Sequence, residues 1–158
     1  MNFVWIHEDA ISLEHPAVLA AGPSACPIFI WDTEEHDRRG YTLKRRMFIY
    51  ECALDLDIPI YAGDAFEVLS TLSEDGTKIY AAASADPYIR GVLADLRDDH
   101  DVVVLEMPQL AHVPANTDTG RFFRFWNRAR KSALTHSQDS LTAPILTTDS
   151  LDKNSLAL

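Results

Sequence analysis

Five short apolar runs alternate with helical or polar segments along the first two thirds of this 158-residue chain. They cover residues 2–6, 27–32, 58–62, 78–83 and 101–106. Short apolar runs separated by helical segments are typical of parallel strands joined by crossover helices. The sequence therefore predicts an α/β fold, in which helices cover both faces of a five-stranded, parallel, Rossmann-like sheet.

Spacing and capping signals predict the segments between the runs. Residues 41–57 carry apolar side chains three or four positions apart, which predicts a helix with one apolar side. That side carries Leu43, Met47, Tyr50 and Leu54. Asp64 and Asp86 precede two further helices as N-caps. We interpret residues 33–40 as a polar loop.

The character of the chain changes after the fifth run. Residues 121–134 predict an amphipathic helix that is both basic and aromatic. Residues 135–158 are rich in Ser, Thr, Asp and Asn and show no periodicity, which predicts a disordered tail. We therefore expect one domain over residues 1–134, followed by that tail.

The charge and the apolar content narrow the function classes. The formal net charge is −10, with 24 acidic and 14 basic residues, so we expect no direct binding to the phosphate backbone of a nucleic acid. We interpret the basic clusters at 38–39, 44–46 and 121–131 as solvated helix faces. No apolar run is long enough to span a membrane and no secretory signal is visible, so we expect a cytoplasmic protein. We interpret Cys26 and Cys52 as buried free thiols in a protein of a reducing compartment.

Polar residues that follow the predicted strands are the candidate site, because parallel sheets bind ligands beyond the carboxyl ends of their strands. The candidates are His7, Glu8 and Asp9 after the first strand, Asp32 and Thr33 after the second, Ser84, Asp86 and Tyr88 after the fourth, and Met107 after the fifth. A single histidine beside carboxylates is more often polar surface than a metal ligand, so no metal or catalytic site is predicted. The glycine-rich phosphate motifs are absent from the sequence.

Read in order, five stretches resemble the N-terminal α/β domain of the DNA photolyase/cryptochrome family. Residues 5–18 are similar to the opening pattern W-F-R-x-D-L-R-L-x-D-N-P-A-L of that family. The matching residues are Trp5, Asp9, Pro16 and Ala17. The other similar stretches are 27–32, 61–69, 79–88 and 120–126. His7 and Ile11 stand where the family pattern has its two arginines.

The resemblance implies an antenna chromophore at the strand ends: a reduced folate, a deazaflavin or FMN. Asp86 stands at the position of the family's acidic residue that contacts a pterin. Two interpretations stay open for Asp86: it caps its helix only, or it caps the helix and also binds the ligand. In the family, FAD and the DNA lesion bind in a helical C-terminal domain that has no counterpart here, so we expect neither FAD nor repair activity from this chain alone.

Alternatives to chromophore binding also stay open. In one alternative, the chain is an interaction subunit that docks on a separate flavoprotein domain. In the other, it is a remnant of a deoxyribodipyrimidine photolyase. Phe122–Trp126 would form an apolar patch, which a protein partner or a second copy of the chain would cover.

Overall fold

A computed structural model describes most of the chain and divides it into two compact units, Met1–Pro108 and Gln109–Leu158. We call the first the α/β unit. The described residues are 1–73, 76–108, 111, 113–114, 116–117 and 119–139, with side chains described to residue 134. The predicted extent of a single domain, residues 1–134, stays a prediction.

The α/β unit is built on five parallel strands, as the sequence predicts. They are β1 (Phe3–Ile6), β2 (Cys26–Trp31), β3 (Ile60–Ala62), β4 (Lys78–Ala82) and β5 (Asp101–Leu105). Their order across the sheet is β3-β2-β1-β4-β5, so β1 is central and pairs with both β2 and β4. Its side chains are buried from Val4 to Ile6, which explains the continuous apolar run at this strand.

Six α-helices accompany the strands in the described part of the chain. They are α1 (Pro16–Ala21), α2 (Thr33–Arg38), α3 (Leu43–Leu54), α4 (Ala65–Leu72), α5 (Pro87–Leu96) and α6 (Phe122–Asp139), and a 3₁₀ turn covers Glu8–Ala10. The prediction of a polar loop at residues 33–40 is wrong, because α2 lies there. The carboxylate of Asp32 accepts a hydrogen bond from the backbone N–H of Glu35 at 2.9 Å and caps this short helix.

Helices pack on both faces of the sheet, which confirms the predicted layers. On one face, Leu69 of α4 and Leu93 and Leu96 of α5 pack with Trp5 and Ile79 of the sheet. On the other face, α1 and α3 pack against Ile6 and Phe29. Each core is built from side chains that alternate along the strands.

Helix α3 is confirmed, but its predicted apolar side is not the buried one. Ile49 and Ala53 face the core, whereas Leu43 and Met47 are exposed. The pattern gives the spacing of apolar side chains but does not say which side of the helix faces the sheet. Five large apolar side chains of α3 are exposed: Leu43, Met47, Phe48, Tyr50 and Leu54.

The second unit contains the predicted basic and aromatic helix as α6. Phe122, Phe123 and Trp126 are exposed on it. The helix runs to Asp139 and so reaches into the segment predicted as a tail, whereas residues 140–158 lie outside the described residues. Within the described part of the chain, no helix is both long enough and apolar enough to cross a membrane.

The orientation of α3 predicts opposite costs for two aliphatic truncations on the same helix. Ile49→Ala removes a buried side chain and should lower the free energy of unfolding by about 2–5 kcal/mol. Leu43→Ala removes an exposed side chain and should change it by less than about 0.5 kcal/mol. Urea unfolding at low protein concentration measures both, and equal losses would contradict this orientation.

Candidate functional site

The loops that follow β1 and β4 meet at the carboxyl end of the sheet. The strand order changes direction between these two strands, which is where open α/β sheets form a crevice. The His7 Nε2–H donates to the carbonyl of Ala82 at 2.9 Å. The Ser84 hydroxyl donates to a carboxylate oxygen of Asp9. Two hydrogen bonds therefore join the loops across the crevice.

His7 is held in its neutral form. Its side chain is buried, and a carbonyl acceptor requires the proton to be on Nε2. Burial is the largest influence and lowers the pKa of His7, although the bond to Ala82 and the charge of Asp9 oppose it. Nδ1 is buried without a hydrogen-bond partner among the described residues.

Glu8 connects the loop after β1 to the region of α2. One carboxylate oxygen accepts from His36 Nε2 at 2.8 Å, and the other accepts from the Tyr41 hydroxyl at 3.0 Å. The rings of His36 and Tyr41 stack with their centroids 5.3 Å apart. Both oxygens of this carboxylate are therefore satisfied by side chains that follow β2.

Arg39, the C-cap residue of α2, is the centre of the network. Its guanidinium donates to both oxygens of Asp86, at 2.5 and 2.6 Å. It also donates to Glu35 and, at 3.1 Å, to the Tyr41 hydroxyl. The same group lies 5.5 Å from the ring centroid of Tyr88, within the range of a cation–π contact. Arg39 thus ties α2 to the beginning of α5.

Asp86 has two roles in the structure. It is the N-cap of α5, and one of its oxygens accepts from the Tyr88 N–H at 2.8 Å. Both oxygens also accept from Arg39. The hydrogen bonds from Arg39 are the largest cause of a lowered pKa for this carboxyl, against the opposing effect of burial. Asp86 therefore stays ionised well below neutral pH.

A second link joins β2 to α5. The Tyr88 hydroxyl donates to Asp32 at 2.5 Å, while the other oxygen of Asp32 caps α2. Burial, and then the hydrogen bond to Asp32, raise the pKa of Tyr88 above the ordinary tyrosine value. This hydroxyl is a hydrogen-bond donor at any physiological pH.

The structure brings most of the predicted site residues together, with two exceptions. The network contains His7, Glu8, Asp9, Asp32, Ser84, Asp86 and Tyr88. Thr33 is exposed at the first position of α2 and lines an open, acidic groove beside Asp64. Met107 lies at the surface after β5 and does not enter the network formed by the described residues.

Four network residues were not predicted: Glu35, His36, Arg39 and Tyr41. The interpretation of 38–39 as a solvated helix face is wrong for Arg39, whose side chain is only 20% exposed. Glu35 precedes Arg38 and Arg39 by three and four positions, which is the spacing of ion pairs on a helix. Burial alone would raise the pKa of Glu35, but both arginines together lower it. The spacing signal was present but lay inside the segment interpreted as a loop.

The network leaves little free space. A cavity bounded by Trp5, His7, Arg39 and Tyr88 has a volume of about 30 Å³, which is roughly the share of one water molecule in the liquid. Among the described residues, no group of three His, Cys, Asp or Glu side chains is arranged to hold a metal ion. In this arrangement the crevice is closed by its own side chains.

Comparisons with known proteins add no assignment. No family model, no curated protein and no solved structure matches this chain.

The buried, neutral state of His7 predicts a pH dependence of stability. Its pKa is lowered from 6.5, so below that pH the unfolded chain takes up a proton that the folded chain refuses. The free energy of unfolding should therefore fall as the pH decreases from about 6.5 and be unaffected by His7 above it.

His7→Gln tests this, because the amide can still donate to the Ala82 carbonyl but does not titrate. The variant should lose less stability than the unsubstituted chain between about pH 7 and about pH 5. Urea unfolding as a function of pH gives both slopes, and identical slopes would rule out a buried neutral His7.

Proposed function

We propose that this chain is a photolyase-like α/β module that binds a planar chromophore in the crevice between β1 and β4, without repair activity of its own. The chromophore classes are those the sequence resemblance implies: a reduced folate, a deazaflavin or FMN. The cytoplasm is the proposed location, since both cysteines are free thiols. The family resemblance is part of the proposal.

The fork of hydrogen bonds at Asp86 is the observation that carries the proposal. Its two carboxylate oxygens receive two parallel N–H bonds from the guanidinium of Arg39. A pterin presents the same pair of donors, an amino group beside a ring N–H, in the same plane. Arg39 therefore occupies the place where the edge of such a ring would bind.

The rest of the crevice suits a planar ring. Tyr88 and Trp5 supply aromatic surfaces at the cavity wall. Glu8 and Asp32 also line the cavity, and their oxygens accept hydrogen bonds from the network. The present volume of about 30 Å³ is too small for such a ring, so Arg39 has to leave Asp86 before the ligand enters. Ligand affinity then includes the free energy of breaking the Arg39–Asp86 pair.

Arg39→Ala should therefore strengthen binding, because it opens the cavity and frees Asp86. We expect the dissociation constant for the bound chromophore to fall by roughly tenfold or more relative to the unsubstituted chain. Fluorescence titration with a reduced folate, FMN and a 5-deazaflavin measures this. Arg38→Ala is the matched control, since Arg38 shares Glu35 with Arg39 but does not contact Asp86 and should leave the affinity unchanged.

Asp86→Asn in the Arg39→Ala background decides between the two interpretations of Asp86. Asparagine is as good an N-cap as aspartate, so the stability of α5 is preserved. If the carboxylate binds the ligand, affinity falls while stability does not. Failure of all three chromophores to bind both the unsubstituted chain and Arg39→Ala would reject the proposed function. A binding affinity that changes with neither the Arg39 nor the Asp86 substitution would reject this site.

A second candidate function is docking on a separate flavoprotein domain, and α6 favours it. Phe122 and Phe123 are exposed there, beside arginines that give this helix a basic character. In that case the α/β module supplies an antenna or a surface to a partner protein. Co-purification of a flavoprotein with the intact chain, lost on Phe123→Glu, would support this alternative.

A further inference from the structure

Helix α3 carries an exposed apolar stripe along its whole length. The exposed fractions are 74% for Leu43, 53% for Met47, 43% for Tyr50 and 52% for Leu54. Contiguous apolar side chains of this size on a helix surface mark an interaction site. None of these four residues belongs to the crevice or to α6.

The stripe has the spacing of a coiled-coil seam. Its residues are separated by four, three and four positions, as the a and d positions of successive heptads are. We call these four residues the α3 seam. The ring of Tyr50 also packs edge-on against Trp31, at a centroid distance of 5.3 Å. Phe48 is exposed as well but lies outside the seam.

The order of charged residues along α3 is opposite to the order that its helix dipole favours. The first turn contains no acidic residue but carries Lys44, and the last turn contains no basic residue but carries Glu51. An isolated helix favours the opposite order, because its N-terminus is the positive end of the dipole. Lys44 makes no hydrogen bond or ion pair with another described residue, so contacts within the described part of the chain do not explain the order.

We propose that the α3 seam is the interface of a two-fold symmetric homodimer, in which α3 packs antiparallel to α3 of a second copy. The two-fold axis lies at the level midway between residues 48 and 49 along the helix. It sets Leu43 against Leu54 of the second copy and Met47 against Tyr50 of the second copy. Each contact then occurs twice, as an isologous interface requires. The seam is thereby complementary to itself.

Charge complementarity is the reason for choosing a second copy as the occupant. Lys44 and Glu51 each follow a seam residue and lie on the same flank of the helix, and equivalent flanks face each other in an antiparallel pair. Lys44 then lies near Glu51 of the second copy, and the reverse pair forms by symmetry. The reversed dipole of the second helix also favours this charge order. The opposite flank, with Arg46 and Ala53, is turned towards its own chain.

Sedimentation equilibrium of the full chain tests the proposal over a wide range of concentration. A seam of two heptads is short, so the expected dimer is reversible and weak. Met47→Glu places a charge in the seam and should weaken association by at least about tenfold. Phe48→Glu adds the same charge to the same helix outside the seam and should leave association unchanged.

Charge exchange tests the antiparallel arrangement. Lys44→Glu alone and Glu51→Lys alone each bring like charges together and should weaken the homodimer. An equimolar mixture of these two variants restores both pairs and should form a heterodimer at least as tight as the unsubstituted homodimer. In a parallel pair, Arg46 would instead face the new lysine, and mixing would not restore association.

Three results would overturn the proposal. One is a chain that stays monomeric at every concentration, which would assign the seam to a different partner. Another is an association that responds equally to Met47→Glu and Phe48→Glu, or to neither, as expected if α6 mediates it. The last is a mixture of the charge variants that associates no better than each variant alone. Circular dichroism of each variant confirms that it is folded.

Discussion

The bidentate ion pair between Arg39 and Asp86 is the interaction on which the organisation of the crevice depends. It joins the end of α2 to the start of α5, across the point where the strand order changes direction. Both side chains are largely withdrawn from water, at 20% and 17% exposed, so their charges are costly unless matched. Arg39 also donates to Glu35, and Asp86 also accepts from the backbone of α5. These additional bonds help to offset the cost of withdrawing the two charges from water.

The sequence predicts the sheet well because each strand is a buried apolar run and each crossover is a helix. The same topology explains why residues far apart, such as Asp9 and Ser84, could be expected at one edge. The prediction fails where the deciding contact is tertiary. Arg39 meets Asp86 across 47 positions, and no local pattern distinguishes it from Arg38, which remains exposed. Helix α2 was missed because its six residues are polar and depend on the cap by Asp32.

The structure also shows that an apolar pattern does not predict which side of a helix faces the core. In α3 the periodicity identifies the helix, but the sheet buries the side of Ile49 and Ala53 and leaves the α3 seam outside. Which side faces the core follows from how closely the helix approaches the sheet, and that distance depends on small residues such as Ala53. An apolar stripe is therefore evidence of a contact, with the core or with another molecule.

In the proposed function, the carboxylate of Asp86 takes part both in closing the crevice and in recognising the ligand. When a ligand binds, Asp86 would keep its capping bonds and would exchange only the guanidinium of Arg39 for a pair of ring donors. The ion pair would then set how much binding free energy the proposed ligand must supply. It also protects an ionised carboxyl group from being left buried and unpaired when the crevice is empty of ligand.

A double-mutant cycle on this pair tests the central claim most directly. Arg39→Met keeps the length of the side chain without its charge, and Asp86→Asn keeps the cap of α5. Urea unfolding of the unsubstituted chain, the two single variants and the double variant gives the coupling free energy. A favourable coupling of about 1–3 kcal/mol is predicted for a pair that holds the crevice closed. A coupling indistinguishable from zero would contradict it.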